Sequence, residues 1–263
     1  MFQFASLLGI AARNNLTAVI PYNPEMERIF KISTPSTKNL QNTLGMYLTV
    51  TQFYGRCCYY DILTETLDPR HNYLLYGYFQ SWKYFKNVND IVRQEFQFRE
   101  EILNEAKKFH RDVSNKFQCH ENNSCTFVGI HIRRGDISDY DVYKKAGYTT
   151  PSEQYFKTAM NFFKRKHKNK VVFIVCSDSS KGWQKKLTSS DVVFSHAKDQ
   201  GVDLAILSLC QHMIISTGTY GWWAAFLTGG TTVYYRDWPK AGSWLYDQVF
   251  KEDYFVRGWI PMK

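Results

Sequence analysis

The chain has 263 residues, 44% hydrophobic and 22% charged, an ordinary globular composition that suits two domains of about 130 residues or one large α/β unit. Lys and Arg outnumber Asp and Glu by 33 to 24, and the resulting charge of +9 favours anionic partners: nucleotides, nucleic acid or acidic surfaces. No stretch approaches the roughly 20 apolar residues that span a bilayer.

The opening MFQFASLLGIAARNN lacks a basic start and carries Gln3 and Ser6 inside its apolar stretch, so it reads as an amphipathic helix and not a signal peptide. Phe4, Leu7, Leu8 and Ala11 fall on one face. The strand LTAVIP (16–21) follows. An α/β domain normally begins with a strand, so a helix-first start predicts a missing element upstream. Residues 23–70 are mixed, with helix expected near 36–48. The stretch YLLYGYFQSWKYF (73–85) predicts a strand feeding an aromatic turn, and 88–117 predicts two helical pieces. The polar segment KFQCHENNSC (116–125) is the best domain boundary.

Beyond it the alternation is regular. A strand over 126–132 leads to a polar loop, then to a helix starting near Pro151 and Ser152, with Glu153 favourable in its first turn. Strand 170–178, helix 180–187, strand 191–194, helix 201–210, strand 212–216, helix 219–227 and strand 231–235 complete the series. Short continuous apolar strands of this kind are buried on both faces of a parallel sheet. The basic run KRKHKNK (164–170) falls between a helix and a strand, where cations favour the helix C-terminus.

Six cysteines show no paired metal spacing. Cys119 and Cys125 flank a short polar loop and are candidates for a disulfide, whereas Cys176 and Cys210 lie in apolar runs as buried thiols. Asn15-Leu16-Thr17 and Asn122-Asn123-Ser124 are glycan acceptor tripeptides.

Chemistry concentrates at three strand ends, where ligands bind in open parallel sheets. The first carries His131, Arg133, Arg134 and Asp136, the second Ser177 and Asp178, and the third Ser216, Thr217, Gly218 and Thr219 at a helix start. Guanidiniums, hydroxyls and a helix N-terminus each stabilise phosphate. If the first strand persists, His131 and Arg133 share one side, and Ile132 and Arg134 the other. The competing reading is a strand-end salt bridge with no ligand. Arg134-Gly135-Asp136 spells an adhesion tripeptide but follows a buried strand. Asp139-Tyr140-Asp141 spells a DxD that can hold a divalent cation, a weak signal in a Tyr-rich loop.

FVGIHIRRGD (127–136) together with DLAILSLCQHMIISTGTYGWWAAFLTGGTTVYY (203–235) resembles the galactoside α-1,2-fucosyltransferases. The HxRRxD stretch is shared with α-1,6- and protein O-fucosyltransferases, and STGTYGWWAAFL narrows the likeness to the α-1,2 group. The resemblance implies an α/β, GT-B-like fold of two facing Rossmann-like domains: residues 1–120 on the acceptor side and residues 121–263 binding GDP-fucose. It implies inverting transfer of fucose to the 2-hydroxyl of a terminal β-galactoside, with no metal and no cofactor beyond that donor substrate.

Carried over by motif, Arg133 resembles the main pyrophosphate ligand, Arg134 and Asp136 its supporting ion pair, and His131 a donor-site residue. Arg133 and Asp136 are the catalytic candidates. Ser216, Thr217, Gly218 and Thr219 resemble β-phosphate contacts, and Asp178 a further motif position. Asp203 resembles the aspartate that accepts hydrogen bonds from guanine, or is simply an acid favoured at a helix start; both readings stand. Asp136, Glu153 or a water relay could serve as general base. Trp222 and Trp223 read as packing; Tyr78, Phe79 and Trp82 could stack on galactose, but core packing is the favoured reading.

The resemblance also implies a lumenal Golgi location. The departure is at the N-terminus: the family's G-x-L-G-N-Q stretch, membrane anchor and stem precede the point where this sequence starts, so the N-terminal domain is expected to be truncated, its first strand missing. The alternative expectation is a shortened homologue that binds GDP or glycan without transfer.

Overall fold

The computed structural model describes residues 1–52, 56–119, 124–133, 141–178 and 180–263. The chain forms two compact units, Met1–Arg99 with Asp247–Arg257, and Glu100–Tyr246 with Gly258–Lys263.

In the first unit, the expected amphipathic helix runs over Phe2–Arg13 and buries Phe4, Leu8 and Ala11. Gly9 allows its close approach to the aromatic turn, since a Cβ there would lie 2.1 Å from the Tyr84 carbonyl oxygen. The Ser6 hydroxyl donates to Phe79 O across the same contact, at 2.9 Å. Phe79, Tyr84 and Phe85 are buried core, whereas Tyr78 of the same turn is exposed, contrary to its packing reading. Two parallel two-stranded sheets replace the longer strands of the sequence reading. β1 (Ile20–Pro21) pairs with β2 (Ser36–Thr37), and β3 (Leu48–Thr51) with β4 (Tyr73–Tyr76). Pro21 has no N–H to extend its ladder, and the helix expected over 36–48 shrinks to Leu40–Leu44 behind an Asn39 cap.

Two further ties close this unit. Glu95 accepts from Ser33 N–H (2.8 Å), Ser33 Oγ (2.6 Å), Thr34 N–H (3.3 Å) and Thr34 Oγ1 (3.0 Å). Asp253 accepts from Lys83 Nζ (2.6 Å) and Tyr60 N–H (2.7 Å), which holds the segment Asp247–Arg257 here. Neighbouring Cys57 and Cys58 form a disulfide that the sequence reading did not anticipate.

The second unit holds one six-stranded, all-parallel sheet. Its strands are β5 (Cys125–Ile132), β6 (Lys170–Ser177), β7 (Val192–Phe194), β8 (His212–Ile215), β9 (Thr232–Tyr235) and β10 (Ile260–Met262). The spatial order is β10-β9-β8-β5-β6-β7. The first three strands thus build outward from β5 to one edge, and the next three restart beside β5 and build to the other, the doubly wound order. Val171 to Cys176 are all buried, as expected for a strand covered on both faces.

Alternation along β5 divides the core. Val128, Ile130 and Ile132 pack with Tyr155, Phe156 and Phe163 of the helix Glu153–Lys166. Gly129 faces Leu207 and Met213 on the other side. Ser152 caps that helix by accepting from Tyr155 N–H. The series does not end at 235: β10 adds an edge strand, short and containing Pro261, and so without the run length that signals a strand. The helix Asp141–Ala146 likewise occupies part of what reads as a polar loop. Cys119 and Cys125 are bonded, and Cys176 and Cys210 are buried thiols. Lys164 of the basic run pairs with Asp191 at 2.5 Å.

Candidate active site

β5 and β8 lie side by side, yet the chain leaves them toward different faces. After β5 it reaches the helix Glu153–Lys166; after β8 it enters the helix Thr219–Thr228, whose Gly221 backs onto the His131 ring. This divergence is a topological switch point, where open α/β sheets form their binding crevice.

The two strand ends are joined directly. Ser216 N–H donates to His131 O at 3.1 Å, and Arg133 N–H donates to Ser216 Oγ at 2.9 Å. The Arg133 side chain lies against Gly218: a Cβ there would sit 2.7 Å from Nη1 and 3.1 Å from Cδ. Gly218 has φ +89°, in the region that L residues avoid, so this position favours glycine twice over. It also caps a ten-residue helix without any side-chain cap bond. The first N–H groups of that helix and its macrodipole therefore stand beside a guanidinium.

The strand ends at Ile132, so alternation does not place Arg133; His131 and Arg133 nonetheless both meet the same helix start, at Gly221 and Gly218. The His131 ring is buried, 5.0 Å from the Tyr220 ring. Burial and the neighbouring Arg133 charge push its pKa down to about 3, so the imidazole is neutral across ordinary pH. Its Nδ1 and the Thr217 hydroxyl are buried without hydrogen-bond partners among the described residues. Such orphaned polar groups are uncommon.

A second group of side chains adjoins these. Tyr220 donates its hydroxyl to Gln200 O (2.5 Å), at the start of the helix Gln200–Ser208. Asp203 lies in the first turn of that helix. Its carboxylate accepts from Ser195 Oγ at 2.5 Å, and its carbonyl oxygen lies 3.8 Å from the Cys176 thiol. Cys176 is the register partner of His131 on β6. Burial pushes the Asp203 carboxyl above its ordinary value, against the opposing bond from Ser195.

The fold thus brings together His131, Arg133, Ser216, Thr217, Gly218 and Thr219, and connects Asp203 through Tyr220. Asp178 stands exposed just past β6. Arg134, Asp136 and Asp139 lie outside the described residues. Asp141 opens its own helix and pairs with Lys144 at 3.4 Å. Glu153 is at a helix start, paired with Lys157 at 2.6 Å. No cluster of three or more metal-ligating side chains occurs among the described residues. Trp222 and Trp223 are buried; Trp222 stacks on Phe226 and meets Trp259 at a tilt, and Trp223 meets Phe226 edge to face, so they pack. Tyr78 is exposed, Phe79 is buried, and Trp82 donates its indole N–H to Glu252 O at 3.2 Å.

Sequence reasoning passed over Ser195, Tyr220 and Gly221. Gly221 could have been found, because a glycine early in an apolar helix has little local use. Ser195 had no signal, since its partner is eight residues away.

The sequence model of Glycosyl transferase family 11 matches residues 1–263. A galactoside 2-alpha-L-fucosyltransferase, SEC1 of Bos taurus, is 28% identical over 99% of this chain and 70% of its own length. The galactoside alpha-(1,2)-fucosyltransferase 2 of Pongo pygmaeus is 28% identical over 98% of this chain and 74% of its own. Among solved structures, the fucosyltransferase NodZ from Bradyrhizobium aligns with TM-score 0.52 at 15% identity, covering 85% of this chain and 87% of that one, which is a likeness of fold.

Proposed function

The chain belongs to glycosyl transferase family 11, and from that premise we propose that it moves L-fucose from GDP-fucose to the 2-hydroxyl of a terminal β-galactoside, with inversion. Donor binding falls to the second unit, Glu100–Tyr246 with Gly258–Lys263, and acceptor contacts to the first, Met1–Arg99 with Asp247–Arg257, rather than dividing at residue 120. No helix among the described residues is long and apolar enough to cross a membrane. We assign the working location to the lumenal side of the Golgi membrane.

The observation that carries the donor-site reading is the packing of Arg133 against Gly218 at a helix N-terminus. As the bond from C1 to the leaving oxygen breaks, positive charge grows on the sugar and negative charge on the β-phosphate. A guanidinium and uncapped helical N–H groups, already in place, stabilise that charge without reorganisation. Arg133 is the main pyrophosphate ligand. Ser216 holds the backbone of Arg133, while Thr217, Gly218 and Thr219 line the phosphate side. By motif alone, Arg134 and Asp136 are assigned as the supporting ion pair, with Asp136 a candidate base, and Asp178 adds a peripheral contact. His131, held neutral, offers a hydrogen-bonding ring without competing for the anion. Asp203 accepts from the guanine edge. No metal is assigned a role, so the arginine carries most of the charge stabilisation.

The test is transfer of labelled fucose from GDP-fucose to a β-galactoside, with the product linkage determined. An α-1,2 product is expected. Binding of GDP with no transfer would instead identify a protein that keeps the pocket without the reaction.

A further inference from the structure

Ser195 directly follows β7 and is buried. Its N–H donates to Val175 O at 2.8 Å, so its backbone is pinned to the sheet. Its hydroxyl accepts from Ala197 N–H at 3.2 Å and donates to Asp203 Oδ1 at 2.5 Å. With the lone-pair side occupied by Ala197, the hydroxyl proton is committed to the aspartate. The Asp203 side chain, in a first helical turn, also takes a bond from the buried Cys176 thiol, so Ser195 and Cys176 together select its rotamer. A carboxylate has about four lone-pair sites. The bonds from Ser195 and Cys176 fix the rotor and leave room for two parallel donors, the number that the N1–H and N2–H edge of guanine presents. We infer that Ser195 is a positioning residue for nucleobase selection, acting by orienting the Asp203 carboxylate toward that edge. This rests on the base-side role proposed above for Asp203. The same bond opposes the upward push of burial on the carboxyl, and so favours the ionised form that accepts both donors.

A role in loop closure alone would change stability without changing which base is preferred, so selectivity is the readout. GDP and inosine diphosphate, which lacks the 2-amino group, are titrated calorimetrically into the intact chain and its variants. The wild type is expected to prefer GDP by about tenfold or more, the worth of one hydrogen bond to a charged group. Asp203→Asn should abolish that preference. Ser195→Ala should lower it about three- to tenfold, mainly through weaker GDP binding, and Ser195→Thr should restore it. If Ser195→Ala keeps the wild-type ratio while Asp203→Asn loses it, the Ser195 inference is overturned and the base-side reading stands. If Asp203→Asn keeps the ratio, the base-side reading fails and takes the inference with it. Should the alanine variant not fold, Ser195→Cys, a weaker donor of similar size, is expected to show the same loss of preference.

Discussion

The two units use parallel strands in opposite ways. The second builds one sheet of six, covered on both faces, with Arg133, Ser216, Thr217 and Gly218 gathered where its winding reverses. Among the described residues the first has two two-stranded parallel pairs, and it relies on aromatic packing and on point ties such as Glu95. A sheet aligns several strand ends at once and so can preorganise a site. Isolated pairs and loops set positions one hydrogen bond at a time. Substitutions in the second unit should therefore reach function through geometry, and those in the first mainly through stability.

The largest effect is expected at the strand end. Arg133→Ala should lower fucose transfer by roughly 10²–10³ and weaken GDP binding, with little change in melting temperature. Unchanged turnover would remove the contrast at its strongest point.

Acid should separate the units next. His110, His131, His167 and His212 of the second unit all have pKa values lowered chiefly by burial. A base with a lowered folded pKa binds fewer protons folded than unfolded. Stability therefore falls as pH drops below about 6.5, at up to about 1.4 kcal/mol per pH unit for the buried His131. In the first unit, burial raises the Glu95 carboxyl but the bonds from Ser33 and Thr34 outweigh it and hold it below its ordinary value. Its contribution is present above the unfolded pKa of about 4.3 and is lost only as pH falls through the lower folded value. Amide exchange resolved by region should show the second unit losing protection first between pH 6.5 and 5. Equal loss in both would break the comparison.

Glu95→Ala should then cost about 2–4 kcal/mol by leaving its donors unpaired, while the GDP affinity of the folded fraction stays the same. Gly218→Ala imposes a side chain at φ +89° and against Arg133. It should cost about 1–2 kcal/mol in stability, and GDP affinity should fall about tenfold as the guanidinium shifts. Smallest of all, Glu153→Gln removes an exposed pair one helical turn long, and stability should change little. Transfer should stay within about twofold; a drop of about 10² or more would make Glu153 the general base.

This contrast also explains what could be read from the sequence. Strands β5 and β6, eight residues each and mostly apolar, announce themselves by composition, and so do the helices capped by Ser152 and Gly218. The strand-end chemistry followed, because His131, Arg133 and Ser216 to Thr219 are each local to one strand end. Pairing between distant segments was not legible. The helix-first opening hides that β1 and β2 are two-residue strands, β10 has too little length to signal, and Val249 bridges Cys58 across most of the chain. The bond from Ser195 to Asp203 belongs with these, since it depends on how a loop folds back.

The most direct measurement is a crystal structure of the protein with GDP. The β-phosphate should lie within about 3 Å of the Arg133 guanidinium and of N–H groups at the start of the helix Thr219–Thr228. A diphosphate bound elsewhere, with Arg133 still packed on Gly218 and touching no ligand, would contradict the account.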